Sequence, residues 1–199
     1  FSITSGTDIT ASLSGSDVTF SAPTDFNGSE AFIISVTDGE YTDTQNITVT
    51  VNAVNDAPVA NATSVTTNED QSAVISLTGS DIDGDALTFS LASDATNGGV
   101  VIEGSLATYT PNLDFNGSDS FTFTASDGEL SSTANVSLTI TAVNDAPVLA
   151  AVLDVSFDED GSSSVNLSGS DIDGDELTFS ITSGTDITAR LSGSDVTFS

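Results

Sequence analysis

The sequence copies itself at an interval of about 89 residues, so it must fold as a row of similar units rather than as one large domain. VNDAPV stands at 54–59 and 143–148, DFNGS at 25–29 and 114–118, and DIDGD at 81–85 and 171–175, the last pair with one residue inserted. Residues 1–21 return at 179–199 with a single change, Ser12 becoming Arg190. The frame this sets is a complete unit at 58–147, the C-terminal part of a unit at 1–57, and the N-terminal part of another at 148–199. The chain reads as a window on a longer polypeptide. The parts 148–178 and 1–57 together span close to one period, so the ends are expected to complete a sandwich, across molecules or along one continuous fibre.

Within the complete unit, apolar residues alternate with polar ones, the signature of half-buried strands. The runs are Ile75 and Leu77; Leu87, Phe89 and Leu91; Phe121 and Phe123; Val136, Leu138 and Ile140. Clusters of Gly, Asn, Asp and Ser separate them, and no segment carries a capped helical period. Seven strands are expected, near 62–67, 73–78, 86–91, 100–103, 106–110, 120–125 and 132–142. Seven strands in a unit of this size give an all-β Greek-key sandwich of immunoglobulin or cadherin type. The aromatic residues Phe89, Tyr109, Phe115, Phe121 and Phe123 fall at alternating strand positions or beside turns, where they pack the core rather than stack on sugars.

Charge then limits the chemistry. The chain has 30 acidic residues against one basic residue, Arg190, a formal charge of -29. Nucleic acid and anionic membrane are excluded as partners by repulsion. With no His, Cys or Lys, the chain cannot build a Ser-His-Asp triad, a Cys/His dyad, a Schiff base or a thiolate metal site, and no enzymatic activity is expected. Its remaining ligands are carboxylate, amide and backbone oxygens, which suit a hard cation such as Ca²⁺. Without cysteine, an extracellular protein needs something other than disulfides for stability. No run is long enough to cross a bilayer, so any anchor lies outside this window.

The acids are not scattered. Successive antiparallel strands put successive turns at opposite poles. NED (68–70), LDFNGSD (113–119) and VNDAP fall at one end, DIDGD and SDGEL (126–130) at the other. In a tandem array the first end of one unit abuts the second end of the next. Asp81, Asp83, Asp85 and Asp127, or Asp171, Asp173 and Asp175, thus form one half of a junction, and Glu69, Asp70, Asp114, Asn116 and Asp145 the other. DIDGD taken alone has a minor rival reading, a solvated Asp-Gly turn. It is not an EF-hand loop, since Ala86 and Ala92 stand where that loop needs Gly and Glu. NDAP is also a Pro-stiffened linker, which is compatible with either reading. Six Asn-x-Ser/Thr sequons, at Asn27, Asn46, Asn61, Asn116, Asn135 and Asn166, are what a chain so rich in these residues contains by chance.

The run FTFTASDGELSSTANVSLTITAVNDAPV, with NED and GSDIDGD, resembles cadherin repeats, and in particular the bacterial cadherin-like tandem repeat of large surface adhesins of the RTX type. The resemblance covers the whole chain. It implies that Glu69, Asp114, Asn144 and Asp145 ligate Ca²⁺ from one side of the second junction and Asp171 and Asp173 from the other. For the first junction it implies Asp25, Asn55, Asp56, Asp81, Asp83 and Asp127. Asn27 and Asn116 stand where animal cadherins carry glutamate, and Ala53 and Ala142 where their linkers begin with aspartate. Fewer anionic ligands imply about one to three ions per junction, at about 10⁻⁴ to 10⁻³ M.

These features together lead to the expectation of calcium-stiffened extension repeats in a bacterial surface adhesin or extracellular fibre. The alternatives are a calcium-dependent carbohydrate-binding or self-associating module and a filament-forming subunit. Expected partners are neighbouring repeats, other copies of the chain, and cell-surface or matrix polysaccharide.

Overall fold

A computed structural model describes residues 1–199 and is built of strands and turns alone, with no helix long and apolar enough to cross a membrane. The first part holds β1 (Ser2–Ile3), β2 (Thr10–Ser14), β3 (Asp17–Ser21), β4 (Gly28–Thr37) and β5 (Thr42–Val51). The middle of the chain holds β6 (Val59–Ala60), β7 (Thr63–Asn68), β8 (Ala73–Ser76), β9 (Gly79–Ser80), β10 (Thr88–Ser93), β11 (Gly98–Glu103), β12 (Leu106–Pro111), β13 (Gly117–Ser126) and β14 (Ser131–Thr141). The last part holds β15 (Val148–Leu149), β16 (Ser163–Asn166), β17 (Gly169–Ser170), β18 (Ala189–Ser192) and β19 (Asp195–Phe198).

The middle strands form an immunoglobulin-like sandwich. One sheet runs β10-β13-β14-β7 and the other β11-β12-β8. All seven expected strands are present, with ends displaced by three residues or fewer. Ile75, Leu77, Val100, Ala107, Tyr109, Phe121, Phe123, Val136, Leu138 and Ile140 are buried between the sheets. Each large apolar side chain so buried contributes about 1.5–3 kcal/mol. Leu91 corrects the expected pattern. A bulge between Leu91 and Ser93 shifts the β10–β13 register, and Leu91 remains 37% exposed at the end of this edge strand.

One pairing positions the site. β7 runs parallel to β14, with Asn68 opposite Thr141, while every other pairing is antiparallel. The turn after β7 therefore lies beside the point where β14 becomes the linker. There Glu69 N–H donates to Thr141 O at 3.0 Å.

The flanking parts repeat fragments of this plan. β1-β4-β5 and the β2–β3 hairpin match β10-β13-β14 and β11–β12, and β16-β19-β18 matches β8-β12-β11. Residues 153–158 and 178–183, which correspond to β7 and β10, form no strand.

Candidate metal centre at the junctions

Four aspartates adopt left-handed backbone: Asp25 (φ 61°), Asp70 (φ 58°), Asp114 (φ 56°) and Asp160 (φ 65°). These are two positions of the repeat, each seen twice. Aspartate is among the few side chains that tolerate this region, because its short carboxylate can bond locally. At the second junction the conformation brings two turns together. Asp114 N–H donates to Asp70 Oδ1 at 3.1 Å, and Asn116 Nδ2 donates to Glu69 Oε2 at 3.4 Å. Glu69 is only 4% exposed, and its Oε1 accepts the N–H of Val143 at the start of the linker.

The linker then meets the next unit. Asp145 N–H donates to Asp173 Oδ2 at 2.7 Å, and Asp171 Oδ1 accepts the N–H groups of Asp173 (3.0 Å) and Asp175 (3.3 Å), holding the DIDGD loop in shape. Two carboxylate groups result. Oxygens of Glu69, Asp145 and Asp173 lie within 4.8 Å of one another, and so do oxygens of Asp70, Asp114 and Asp145. Asp145 belongs to both. Burial, then the charges of Asp114, Asp173, Asp70 and Glu69, push its carboxyl above the ordinary aspartate value. The chain's single basic residue forms no ion pair with them.

The first junction follows the same plan. Asp56 N–H donates to Asp83 Oδ2 at 2.8 Å, and Asp83 N–H to Asp81 Oδ1 at 2.9 Å. Asn55 Nδ2 donates to Asp127 Oδ2 at 3.0 Å, tying the linker to the complete unit. A groove of about 250 Å³ is lined by Asp25, Asn27, Asp56 and Asp83 among others. Asp56 is pushed above the ordinary value by burial and by Asp25, Asp83 and Asp81. The second oxygen of Asp81, Oδ2, is buried with no hydrogen-bond donor in reach. No three-carboxylate group as close as those of the second junction forms here.

Of the residues expected to ligate, Glu69, Asp114, Asp145 and Asp173 are brought into the two groups. Asp25, Asp56, Asp81 and Asp83 face one another across the first junction. Asn144 turns its amide nitrogen onto Asp145 O at 2.9 Å, and Asp171 acts through the loop it shapes. Asp85 and Asp175 lie outside the groups. Each is exposed and tied to its loop through its backbone N–H. Asp127 is held below the ordinary value by Asn55 and by the N–H groups of Leu130 and Glu129, so part of its role is to cap its own turn.

The turn order places Asp70 at this pole without a ligating role, and its carboxylate lies in one of the two groups, beside Asp114 and Asp145. Two further acids escaped notice, Glu30 and Asp119, which occupy one repeat position. Glu30 accepts the N–H groups of Thr7, Asp8 and Ile9, and Asp119 those of Thr96, Asn97 and Ser120 together with Tyr109 OH at 3.1 Å. Their common offset of 89 was the available signal. These carboxylates already have their donors within the chain, which sets them apart from the junction acids.

Residues 55–139 match a family described as "Bacterial Ig domain". No curated protein matches the chain. Among solved structures, it is similar over 98% of its length to mouse protocadherin-24 EC1-3, of which it covers 74%, at 15% identity and a TM-score of 0.56. It is similar over 99% of its length to protocadherin gamma B7 extracellular cadherin domains 1-4, covering 57% of that chain at 14% identity and a TM-score of 0.55. It also aligns over 99% of its length with an endo-fucoidan hydrolase of glycoside hydrolase family 107, at 19% identity and a TM-score of 0.39. The chain spans 34% of that hydrolase's length, and so slight a likeness carries no argument about activity. The protocadherin similarities establish a cadherin-like sandwich fold.

Proposed function

We propose that the chain is a stretch of extension repeats from a bacterial surface adhesin or extracellular fibre, non-catalytic, stiffened by Ca²⁺ at the junctions between units. The reading rests chiefly on Asp145, one linker carboxylate shared by two three-carboxylate groups, one of which reaches across the junction to Asp173. Like charges this close repel, and no cationic side chain relieves them. An all-oxygen, anionic donor set at a flexible joint fits a hard divalent cation. Glu69, Asp70, Asp114, Asp145 and Asp173 would hold it at the second junction, and Asp25, Asp56, Asp81 and Asp83 at the first. The bound ion would supply positive charge and cross-link the turns of one unit to the DIDGD loop of the next. The residues themselves do the rest: Glu69 fixes the linker's start through Val143 N–H, and Asp83 and Asp173 fix its middle through Asp56 N–H and Asp145 N–H.

Small-angle scattering in calcium and in chelator tests the proposal. The expected result is a stiff, extended rod in calcium and a shorter, broader distribution of lengths in chelator, with the strand signal in circular dichroism unchanged. Identical scattering in the two conditions would remove the stiffening role.

A further inference from the structure

Each junction contains an Asn-Gly bond, at Asn27-Gly28 and Asn116-Gly117, and the fold itself requires the glycine. Gly28 has φ 148° and Gly117 φ 128°, values that L side chains rarely adopt, and a Cβ on Gly28 would press on the Phe26 ring at 3.2 Å. A glycine leaves its own backbone nitrogen unshielded. The preceding asparagine is exposed in both cases and lies in irregular backbone just before a strand, β4 or β13. The Asn116 side chain makes one hydrogen bond, a 3.4 Å contact to Glu69, and Asn27 lines the groove with Asp25, Asp56 and Asp83.

The third Asn-Gly bond, Asn97-Gly98, is held differently. Asn97 N–H donates to Asp119 Oδ2 at 2.8 Å, and Asn97 O accepts Asn112 N–H at 2.8 Å and Tyr109 OH at 3.4 Å. Gly98 opens a paired strand, as Gly28 and Gly117 do, but it alone is packed directly against both the Tyr109 ring and the Thr110 carbonyl. Its backbone has no freedom to swing toward the side chain.

We propose that Asn27 and Asn116 are sites of spontaneous deamidation, which adds a carboxylate to each junction as the protein ages. The proposal's effect on calcium rests on the reading above; the chemistry does not. The Gly117 backbone nitrogen loses its proton to solvent base and attacks Asn116 Cγ, forming a new C–N bond. The side-chain nitrogen leaves as ammonia, and a cyclic imide remains. Water opens the imide at either carbonyl, giving aspartate or isoaspartate. The balance is asparagine plus water to acid plus ammonia, with no oxidant or reductant. At Asn116 the change replaces an N–H donor facing Glu69 by a negative charge. The metal-free junction then repels itself more strongly, while a cation there gains an anionic ligand.

Peptide mass mapping of the whole chain, incubated at neutral pH and physiological temperature, measures the chemistry without reference to calcium. The expected result is amide-to-acid conversion at Asn27 and Asn116, with Asn97 intact and Asn116→Gln blocking the change at its own site. Conversion of Asn97 as fast as the other two, or no conversion at any of them, would overturn the proposal. The charge effect is read in freshly prepared Asn116→Asp by calcium titration and melting. It should bind calcium more tightly than the parent, since ligand charge count tunes affinity, and should melt lower than the parent in chelator. Unchanged binding and melting would overturn that half. If the parent bound no calcium, the stiffening role would fall while the mass map still decided the deamidation.

Discussion

The two junctions carry the same linker, VNDAP, and the same DIDGD loop, yet only the second brings carboxylates into groups close enough to share an ion. The difference lies on the upstream side. At the second junction the turn after β7 contributes Glu69 and Asp70, and parallel pairing of β7 with β14 carries that turn to the base of the linker. At the first junction Asp25, Asp56, Asp81 and Asp83 face one another. The linker and loop therefore orient the joint through backbone hydrogen bonds, and the β7–β8 turn supplies the charge density. A second contrast runs through the same unit. Asp119 has four donors from its own sandwich, whereas Asp145 faces four other carboxylates.

The largest effect should come from the core and should leave the junctions' calcium response alone. Phe123→Ala empties a fully buried site between the sheets and is expected to destabilise the complete unit by about 3–5 kcal/mol. The loss should be the same in calcium and in chelator. A loss confined to one condition would show that core and joint are not separate.

Next in size is Asp119→Ala, which strips the acceptor from Tyr109 OH and from three backbone N–H groups. Leaving such donors unpaired costs about 1–3 kcal/mol, read by chemical denaturation, with no change in calcium binding. Asp119 also sets the pH response. Burial would raise its carboxyl, but the N–H groups of Asn97, Ser120 and Thr96 and the Tyr109 hydroxyl together hold it below the ordinary 3.8. Its stabilisation is thus complete above 3.8 and is lost as pH falls through the lower, folded value. Asp145 has the opposite sign. Its carboxyl lies above 3.8, so in chelator the second junction should tighten as pH falls through that raised value, before the Asp119 contribution is lost. Acid titration in chelator, followed by scattering for the joint and by tyrosine fluorescence for the sandwich, should show these two changes in that order.

The smallest effect on metal-free stability, and the most specific to one junction, is that of Glu69→Gln. Gln keeps an oxygen for Val143 N–H but removes a buried charge, so stability in chelator should rise by about 1 kcal/mol, the scale of repulsion between unit charges about 4 Å apart in water. The calcium-dependent gain at the second junction should fall at the same time. A drop in chelator would mean that the charge itself, rather than the acceptor, holds the linker.

The sandwich was legible because alternation and turn residues agree along the unit: Phe121, Phe123, Val136, Leu138 and Ile140 are all buried. Leu91 was not, since a bulge moves an edge strand without altering its alternation. The poles followed from strand parity, and with them Glu69, Asp114, Asp145 and Asp173. What sequence could not separate was the use of each acid. Asp119, Asp127 and Asp145 are all turn or strand-end aspartates, and only the donors around them distinguish a carboxylate with its own N–H partners from one facing other carboxylates. Asp70's place beside Asp114 depends on a left-handed turn that no sequence pattern announces. Asp85 and Asp175 share the DIDGD motif, and their side chains lie outside the two close carboxylate groups.

The most direct test is a calorimetric calcium titration of the intact chain beside Asp145→Asn and Asp56→Asn. Asp145 serves two carboxylate groups and Asp56 serves none as tight, so Asp145→Asn should abolish most of the binding and Asp56→Asn the smaller part. At calcium 100-fold above the dissociation constant, each independent site should add about 2.7 kcal/mol to the intact protein's stability. No heat of binding from the intact chain, or equal losses in the two variants, would contradict the assignment of the junction carboxylates as a calcium-holding joint.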